Sequence, residues 1–213
     1  MPTFHGQWLQ DKFIYERYFP NTFNGISIEC GSFDGVAESS TLFFEESMNW
    51  TCINIEASPP IFELLKQNRL KAFNFNVGLA NKDDVLTFKH VVHPHHGFKF
   101  GNGSFSHKPA HVQELEEAGC AYKEYEVKTT TYAKLIDPLM DAFMPGRSID
   151  LFVLDVEGYE MEALEGMRST KYLPRVLCIE YPIVGLDNIK SALDGLDYTY
   201  DTVENNNAFF VRS

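Results

Sequence analysis

Residues 149–155, which read Ile-Asp-Leu-Phe-Val-Leu-Asp, limit the possible folds of this chain more than any other segment. A nearly continuous apolar run of this length is typical of a strand that is covered on both faces. Strands of that kind occur in sheets whose crossover helices pack on either side. The segment therefore predicts a largely parallel sheet in an α/β protein.

The remaining sequence alternates short apolar runs with segments of helical spacing, as expected for strands joined by helices. The expected strands cover residues 26–30, 51–56, 72–79, 85–92, 124–130, 149–155, 175–180, 198–203 and 208–211. The expected helices cover residues 36–50, 59–68, 110–118, 132–143, 159–168 and 187–193. We predict one domain over residues 1–213, with an N-terminal helical extension at 1–24 and a long loop at 93–109.

Charge and composition limit the partners of the chain. The net charge is −12, so most of the surface repels a phosphate backbone, and no nucleic-acid partner is expected. No stretch is long and apolar enough to span a bilayer, and the first residues lack the pattern of a signal peptide. The four cysteines form no CxxC pair, which indicates thiols in a reducing compartment. We expect a cytoplasmic protein with a neutral small-molecule partner.

A glycine loop follows the first expected strand. Gly31 and Gly35 lie four residues apart, between that strand and the next helix. Glycines there allow a tight turn and a close approach of the backbone to a ligand. The loop indicates a nucleotide-cofactor site at the carboxyl end of the strand. An ordinary strand–helix turn is the alternative, because the spacing is neither GxGxxG nor a phosphate loop.

Two further acidic positions end strands of the same predicted sheet. Glu56 follows the second strand, where a carboxylate can accept both hydroxyls of a ribose. Ser58 then suits the N-cap of the next helix. Asp155 and Glu157 follow the buried strand and are expected to face the same crevice. An exposed acid is the alternative for Glu56, and a helix cap is the alternative for Asp155.

These segments together resemble the FkbM-type methyltransferases of the class I fold. The resemblance is carried by residues 29–35, 54–59 and 76–79, and above all by Asp-Val-Glu-Gly-Tyr-Glu at 155–160. The family more often has Val-Gly-Ala-Asn in the first loop and Pro at the position of Ala57. The resemblance implies a Rossmann-like sandwich. Its sheet is seven-stranded and mostly parallel, with helices on both faces and an antiparallel last strand.

The resemblance also implies that the chain binds S-adenosylmethionine. It assigns Gly31 and Gly35 to the methionine part of this cofactor, with Glu29, Asp34 and Asp155 around it. It assigns Glu56 to the ribose and residues 76–78 to the adenine. The implied cofactor-binding residues are Glu29, Gly31, Ser32, Asp34, Gly35, Glu56, Ala57, Asn76, Val77, Gly78 and Asp155.

Methyl transfer to a hydroxyl requires a group that removes the proton of the acceptor. The candidates are Asp155, Glu157 and His107, with His107 favoured over the other loop histidines, His93, His95 and His96. A divalent metal is possible but not expected, and its ligands would be Asp155, Glu157 and Glu180.

The sequence therefore favours an S-adenosylmethionine-dependent O-methyltransferase acting on a sugar hydroxyl, such as that of a deoxyhexose, or on a similar neutral acceptor. The chain can also be one part of a larger multi-domain glycan-modifying protein. Aromatic side chains that could stack on a sugar ring are Phe98, Phe100, Phe105, Tyr122 and Tyr125. Two alternatives stay open: an NAD-dependent oxidoreductase, and a catalytically inactive glycan-binding domain of the same fold.

Overall fold

The computed structural model describes residues 3–213. Its strands are β1 (Ile26–Cys30), β2 (Thr51–Ile55), β3 (Phe73–Phe75), β4 (Gly78–Leu79), β5 (Asp84–Val92), β6 (Ala121–Thr130), β7 (Leu151–Leu154), β8 (Val176–Glu180), β9 (Tyr198–Glu204) and β10 (Asn207–Arg212). Its helices are α1 (Gln10–Tyr18), α2 (Leu42–Met48), α3 (Pro59–Asn68), α4 (Pro109–Glu117), α5 (Tyr132–Phe143), α6 (Glu160–Glu165) and α7 (Leu186–Ala192). A 3₁₀ turn, Gln7–Leu9, precedes α1. Met1 and Pro2, the start of the predicted extension, lie outside the described residues.

Seven strands form the main sheet, in the order β3-β2-β1-β7-β8-β10-β9. All neighbours from β3 to β8 are parallel, and β10 is antiparallel to both β8 and β9. The predicted sheet, with its antiparallel last strand, is confirmed. The chain leaves β1 toward β2 on one side and returns to β7 on the other, which creates the switch point where ligands bind in such sheets.

The sheet is covered on both faces, as its apolar strands require. Every residue of β1 and β7 is buried. One core cluster joins the sheet to α5, α6 and α7 through residues such as Ile136, Leu164 and Ile189. A second cluster on the opposite face contains Ile14 of α1 and Phe43 of α2. This layering fixes the carboxyl ends of the parallel strands at one edge of the molecule.

The expected single strand at 72–79 is wrong, because the chain turns out of the main sheet after Phe75. The Asn76 side chain donates hydrogen bonds to the carbonyls of Glu56 and Ala57, at 2.8 and 3.1 Å, and so holds the turn. The following strand, β4, joins a separate three-stranded sheet in the order β4-β6-β5. β5 pairs with β6 along its whole length.

The predicted helix at 36–50 is also too long. Residues 36–41 are irregular, and α2 begins only at Leu42. The reason is local: the backbone N–H groups of Val36 and Ala37 donate to the Asp34 carboxylate, and that of Ser40 donates to Glu29. No helix within residues 3–213 is long and apolar enough to cross a membrane.

Candidate functional site

A cavity of about 500 Å³ lies at the carboxyl ends of β1, β2, β7 and β8. This volume falls within the range of small-molecule sites, roughly 300–1,000 Å³. The first wall comes from the glycine loop, the second from the segment after β7, and the third from β5 and the loop 96–105. Gln7 and Gln10 of the N-terminal extension also line the cavity. The site thus lies where the sheet topology predicts it.

Gly31 brings the ends of β1 and β7 into direct contact. Its φ of 85° lies in the left-handed region, and its N–H donates to the carbonyl of Ile55 at 3.0 Å. A β-carbon there would lie 1.7 Å from the carbonyl oxygen of Asp155. Only glycine allows this approach. Gly31 and Ser32 both line the cavity.

The carboxylate of Glu29 organises the loop beside the cavity. Its Oε2 accepts hydrogen bonds from the hydroxyls of Ser39 at 2.8 Å and Thr41 at 2.6 Å, and its Oε1 accepts one from the Ser40 N–H at 2.6 Å. Glu29 lines the cavity, but these bonds also give it a structural task. The same loop is fastened by the buried Arg69, whose guanidinium lies 2.8 Å from Glu45 and donates to the Gly35 carbonyl at 3.1 Å.

Asp34 and Gly35 do not line the cavity. Asp34 Oδ1 accepts hydrogen bonds from Val36 at 3.0 Å and Ala37 at 2.9 Å, and its Oδ2 lies 3.9 Å from the ammonium of Lys99. Gly35 packs so closely on Arg69 that a β-carbon would lie 2.6 Å from that side chain. Both residues shape the loop behind the cavity wall.

Glu56 is buried at the end of β2 and lines the cavity. Its two oxygens each accept one backbone hydrogen bond, from Phe33 at 2.9 Å and from Ser58 at 2.7 Å. Burial raises the pKa of this carboxyl to about 7, and the two backbone donors oppose the shift. The predicted alternative of an exposed acid is therefore wrong. Each oxygen still has a lone pair with which to accept a ligand hydroxyl.

The segment after β3 contributes Val77 and Gly78, which line the cavity beside Ala57. Asn76 does not line it, because its side chain is used in the turn out of the main sheet. Phe105 packs against Gly78, where a β-carbon would lie 2.4 Å from the phenyl ring. Gly78 therefore makes room for the loop that covers this end of the cavity.

Four carboxyl groups converge beyond the end of β7. Asp155 and Glu180 lie within hydrogen-bonding distance of each other. Burial, and then the charge of Glu180, raises the pKa of Asp155 well above its ordinary value. Burial, followed by the charges of Glu157 and Glu160, raises the pKa of Glu180 to about 7. Because the two carboxyls lie so close together, ionisation of one disfavours ionisation of the other.

Glu157 and Glu160 complete this acidic group in different ways. Glu157 lines the cavity with a left-handed backbone (φ 55°), and burial raises the pKa of its carboxyl. Glu160 Oε1 accepts hydrogen bonds from the N–H groups of Val156 at 3.0 Å and Gly158 at 3.2 Å. The predicted alternative of Asp155 as a helix cap is wrong, because α6 has Tyr159 at its N-cap position.

The loop 93–109 forms one wall of the cavity through residues 96, 99–103 and 105. Phe100 and Phe105 belong to this wall, whereas Phe98, Tyr122 and Tyr125 do not line the cavity. His107 does not line it either: its Nε2 lies 2.7 Å from the Asn102 carbonyl, and its ring packs on His111 and Tyr122. These contacts hold His107 behind the wall that the loop forms.

Histidines at the tip of the loop order the turn. Nδ1 of His93 accepts hydrogen bonds from the N–H groups of His95 at 3.1 Å and His96 at 3.3 Å. Within residues 3–213, no group of three or more His, Cys, Asp or Glu side chains has the geometry to hold a metal ion. The optional metal set of Asp155, Glu157 and Glu180 therefore lacks support in this part of the chain.

His90 is a cavity residue that the sequence did not reveal. It lies on β5, is buried, and has its Nδ1 3.0 Å from the hydroxyl of Ser58. Ser58 occupies the N-cap position of α3, as predicted, but its side chain makes no capping hydrogen bond. A lone histidine in an apolar strand pattern gives no signal of a site. Only the pairing of β5 with β6 brings it to the cavity.

The model of the family described as the methyltransferase FkbM domain matches residues 29–189. The chain belongs to this family. The matched segment contains both the glycine loop and the acidic group after β7. A search of curated proteins gave no match.

A comparison with solved structures found similar chains at low sequence identity. A methyltransferase FkbM from Methylobacillus flagellatus KT has a TM-score of 0.54 and 13% identity, over 88% of this chain and 43% of that chain. The chain thus spans less than half of that relative. A Staphylococcus aureus protein described as a caffeoyl-CoA O-methyltransferase has a TM-score of 0.48 and 12% identity, over 96% of this chain and 83% of its own. A Clostridium thermocellum protein described as an rRNA methylase has a TM-score of 0.44 and 8% identity, over 100% of this chain and 99% of that chain.

Proposed function

We propose that this chain is an S-adenosylmethionine-dependent O-methyltransferase whose acceptor is a hydroxyl group of a sugar or a similar neutral molecule. The observation that carries the proposal is the acidic lining of the cavity. Glu29, Glu56, Asp155, Glu157 and Glu180 all reach it. This charge favours a positively charged sulfonium over an anionic ligand.

The residues of the cavity fit the parts of S-adenosylmethionine. Glu56 has a free lone pair on each oxygen for the ribose hydroxyls. Val77, Ile61 and Phe88 supply apolar surface for the adenine. Asp155 faces the glycine loop at the opposite end, where the methionine part and the sulfonium are expected. When bound, this cofactor supplies an electrophilic methyl group.

The same features disfavour NAD. A pyrophosphate needs free backbone N–H groups at the start of a helix. Here the N–H groups of Val36, Ala37 and Ser40 already donate to carboxylates of the chain. Those carboxylates, Asp34 and Glu29, also repel a phosphate. These features therefore favour the methyltransferase over the oxidoreductase.

The Asp155–Glu180 pair is the proton acceptor that we propose for the hydroxyl substrate. A general base works best when its pKa is close to the working pH. Glu180 meets this condition, since its pKa is raised to about 7. Glu157 is the second candidate because its carboxylate reaches the same cavity. His107 could act only through the loop, since it does not line the cavity.

A sugar acceptor is supported by the mixture of groups on the remaining walls. Gln7 and Gln10 present amides, while Phe100 and Phe105 present rings. Amides can hydrogen-bond sugar hydroxyls, and aromatic faces can pack on the ring of a saccharide. A neutral, hydroxyl-rich molecule also avoids repulsion by the acidic lining.

Calorimetric titration of the protein with S-adenosylhomocysteine and with NAD tests the cofactor assignment. We expect micromolar binding of the former and none of the latter. Glu56→Ala should weaken binding by about 1.5–3 kcal/mol, the scale of a lost charged hydrogen bond. Glu63→Ala is the matched control, because Glu63 is an exposed carboxylate of α3 paired with Lys66. Tight NAD binding would support the oxidoreductase instead.

Transfer of a labelled methyl group to a panel of glycosides then tests the reaction. Labelled products should carry the methyl group as an ether. If the protein binds S-adenosylhomocysteine and glycosides but transfers no label to any glycoside, the result would favour the inactive glycan-binding domain. Labelling confined to amines or thiols would contradict the hydroxyl acceptor.

A further inference from the structure

His90 carries a buried ring nitrogen that nothing in the described part of the chain satisfies. The residue is 1% exposed, and its Nε2 has no hydrogen-bond partner. Burial lowers the pKa of the imidazole, and the backbone of Phe98 partly offsets this effect. The ring is therefore neutral at pH 7, with one nitrogen as donor and the other as acceptor.

The orientation of the ring is set by Ser58. The Ser58 hydroxyl lies 3.0 Å from Nδ1 of His90. Ser58 occupies the N-cap position of α3 in an extended conformation, where a serine usually caps the helix, yet it makes no such bond. Its hydroxyl instead holds Nδ1, so the ring has Nε2 as its one free polar atom. Buried polar atoms are rarely left unpaired, so an unpaired atom on a cavity-lining residue is available to pair with a molecule that enters the cavity.

The position of His90 relative to Glu56 indicates which part of a ligand this is. Glu56 accepts a hydrogen bond from the N–H of Ser58 at 2.7 Å, and the hydroxyl of Ser58 holds His90. Ser58 thus links His90 to Glu56, the residue proposed to bind the ribose. Val77 and Phe88 give this end of the cavity apolar surface. A purine fits such a surface by its faces but needs a polar partner at its edge.

We propose that Nε2 of His90 hydrogen-bonds the adenine of the cofactor at its N1/6-amino edge. This edge lies opposite the bond to the ribose, so it extends away from Glu56 toward the next residues of the wall. It offers one acceptor, N1, and one donor, the 6-amino group, so either tautomer of His90 finds a partner. The inference rests on the proposed function, and it assigns recognition of the base to a strand outside the main sheet.

Binding of S-adenosylhomocysteine to His90→Phe is the first test. Phenylalanine keeps a ring in the site and removes both nitrogens. We expect the dissociation constant to rise about tenfold, as for the loss of one hydrogen bond to a buried partner. His95→Phe is the matched control, since His95 is an exposed histidine of the neighbouring loop that does not line the cavity. Its affinity should equal that of the wild type.

Two base analogues distinguish recognition of the edge from simple packing. The 1-deaza and the 6-deamino forms of S-adenosylhomocysteine each remove one polar group from the edge. The wild type should bind at least one of them about tenfold more weakly than the parent. His90→Phe should bind that analogue and the parent equally. An equal penalty in both proteins would overturn the proposal, because the lost group would then have no contact with His90.

The outcomes separate this inference from the proposed function. If the wild type binds no S-adenosylhomocysteine, the cofactor assignment fails. If the wild type binds it and His90→Phe binds it equally well, only the role of His90 fails. Nitrogen-15 spectra of the histidine rings give a readout without substitution: the Nε2 resonance of His90 should move on binding. His90→Gln, which keeps a polar end, should recover part of the affinity even if His90→Phe folds poorly.

Discussion

The α-carbon of Gly31 lies against the carbonyl oxygen of Asp155, so closely that a β-carbon would be 1.7 Å from it. This contact joins the glycine loop after β1 to the acidic segment after β7. The two strands are parallel neighbours in the sheet, so both loops leave at the same edge. This contact therefore fixes the distance between the two cavity walls that these loops form.

Gly31→Ala should therefore destabilise the protein by about 3 kcal/mol or more, through overpacking and a left-handed backbone. Gly146→Ala is the control, since Gly146 also has a positive φ, of 75°, but has no atom within 4 Å of the added β-carbon. That variant should lose only about 1–2 kcal/mol. Chemical denaturation measures both. Equal losses would mean that the backbone conformation, and not the contact with Asp155, makes glycine necessary.

Arg69 is the side chain that fastens the glycine loop from behind. It is fully buried and paired with Glu45 at 2.8 Å. Arg69→Met leaves Glu45 without its partner, so we expect a loss of about 3–5 kcal/mol in the free energy of unfolding. Lys66→Met breaks the exposed pair with Glu63 and should change stability by less than about 1 kcal/mol. A mild effect of Arg69→Met would show that the loop is held by other contacts.

Several features of the fold follow from sequence because they depend on local patterns. The apolar run at 149–155 identifies a strand buried on both faces, and β7 is that strand. Because parallel strands end at the same edge of a sheet, their direction predicts that Glu56 and Asp155 lie at one crevice. These inferences need only strand direction and hydrophobicity.

Other features depend on contacts between distant segments. The sequence gives no sign that Asn76 would hold a turn to Glu56 and split one strand into two. Nor does it show that the carboxylate of Glu29 would accept hydrogen bonds from the segment 39–41, so that α2 begins later than expected. The position of His107 behind the wall, and of His90 on it, depends on how β5 pairs with β6. Histidine spacing alone carries none of this information.

Replacement of Glu180 tests the proposed base. Glu180→Gln should lower turnover by about 10²–10⁴, the usual contribution of general acid–base catalysis, while leaving the affinity for S-adenosylhomocysteine close to that of the wild type. In the wild type, activity should fall as pH drops below about 7, because the pKa of Glu180 is raised to about 7 and the base must be ionised. Glu162→Gln, on α6 and outside the cavity lining, is the control. An unchanged pH profile in Glu180→Gln would exclude Glu180 as the titrating group.

The buried carboxyl of Glu56 should make the stability of the cofactor-free protein depend on pH. Its pKa is raised from 4.5 to about 7, so the folded state binds a proton more tightly than the unfolded state. This contribution is fully present below about pH 4.5 and is lost as pH rises to about 7, with a size on the order of 3 kcal/mol. Denaturation of the wild type and Glu56→Gln between pH 5 and 8 measures it. The slope with pH should be smaller in the variant, and identical slopes would contradict the assignment.

The acidic group beyond β7 should also distinguish S-adenosylmethionine from S-adenosylhomocysteine, which differ in the charge on sulfur. Burial raises the pKa of Glu180 to about 7, so this carboxyl ionises as pH rises through the neutral range. Each new negative charge favours the sulfonium and leaves the neutral thioether nearly unaffected. We expect the ratio of the two affinities to rise about tenfold in favour of S-adenosylmethionine between pH 6 and 8, which corresponds to about one unit of coupled pKa shift. Calorimetry at both pH values gives the ratio, and Glu180→Gln should flatten its rise. A ratio that stays constant in the wild type would place the sulfonium away from these carboxyls.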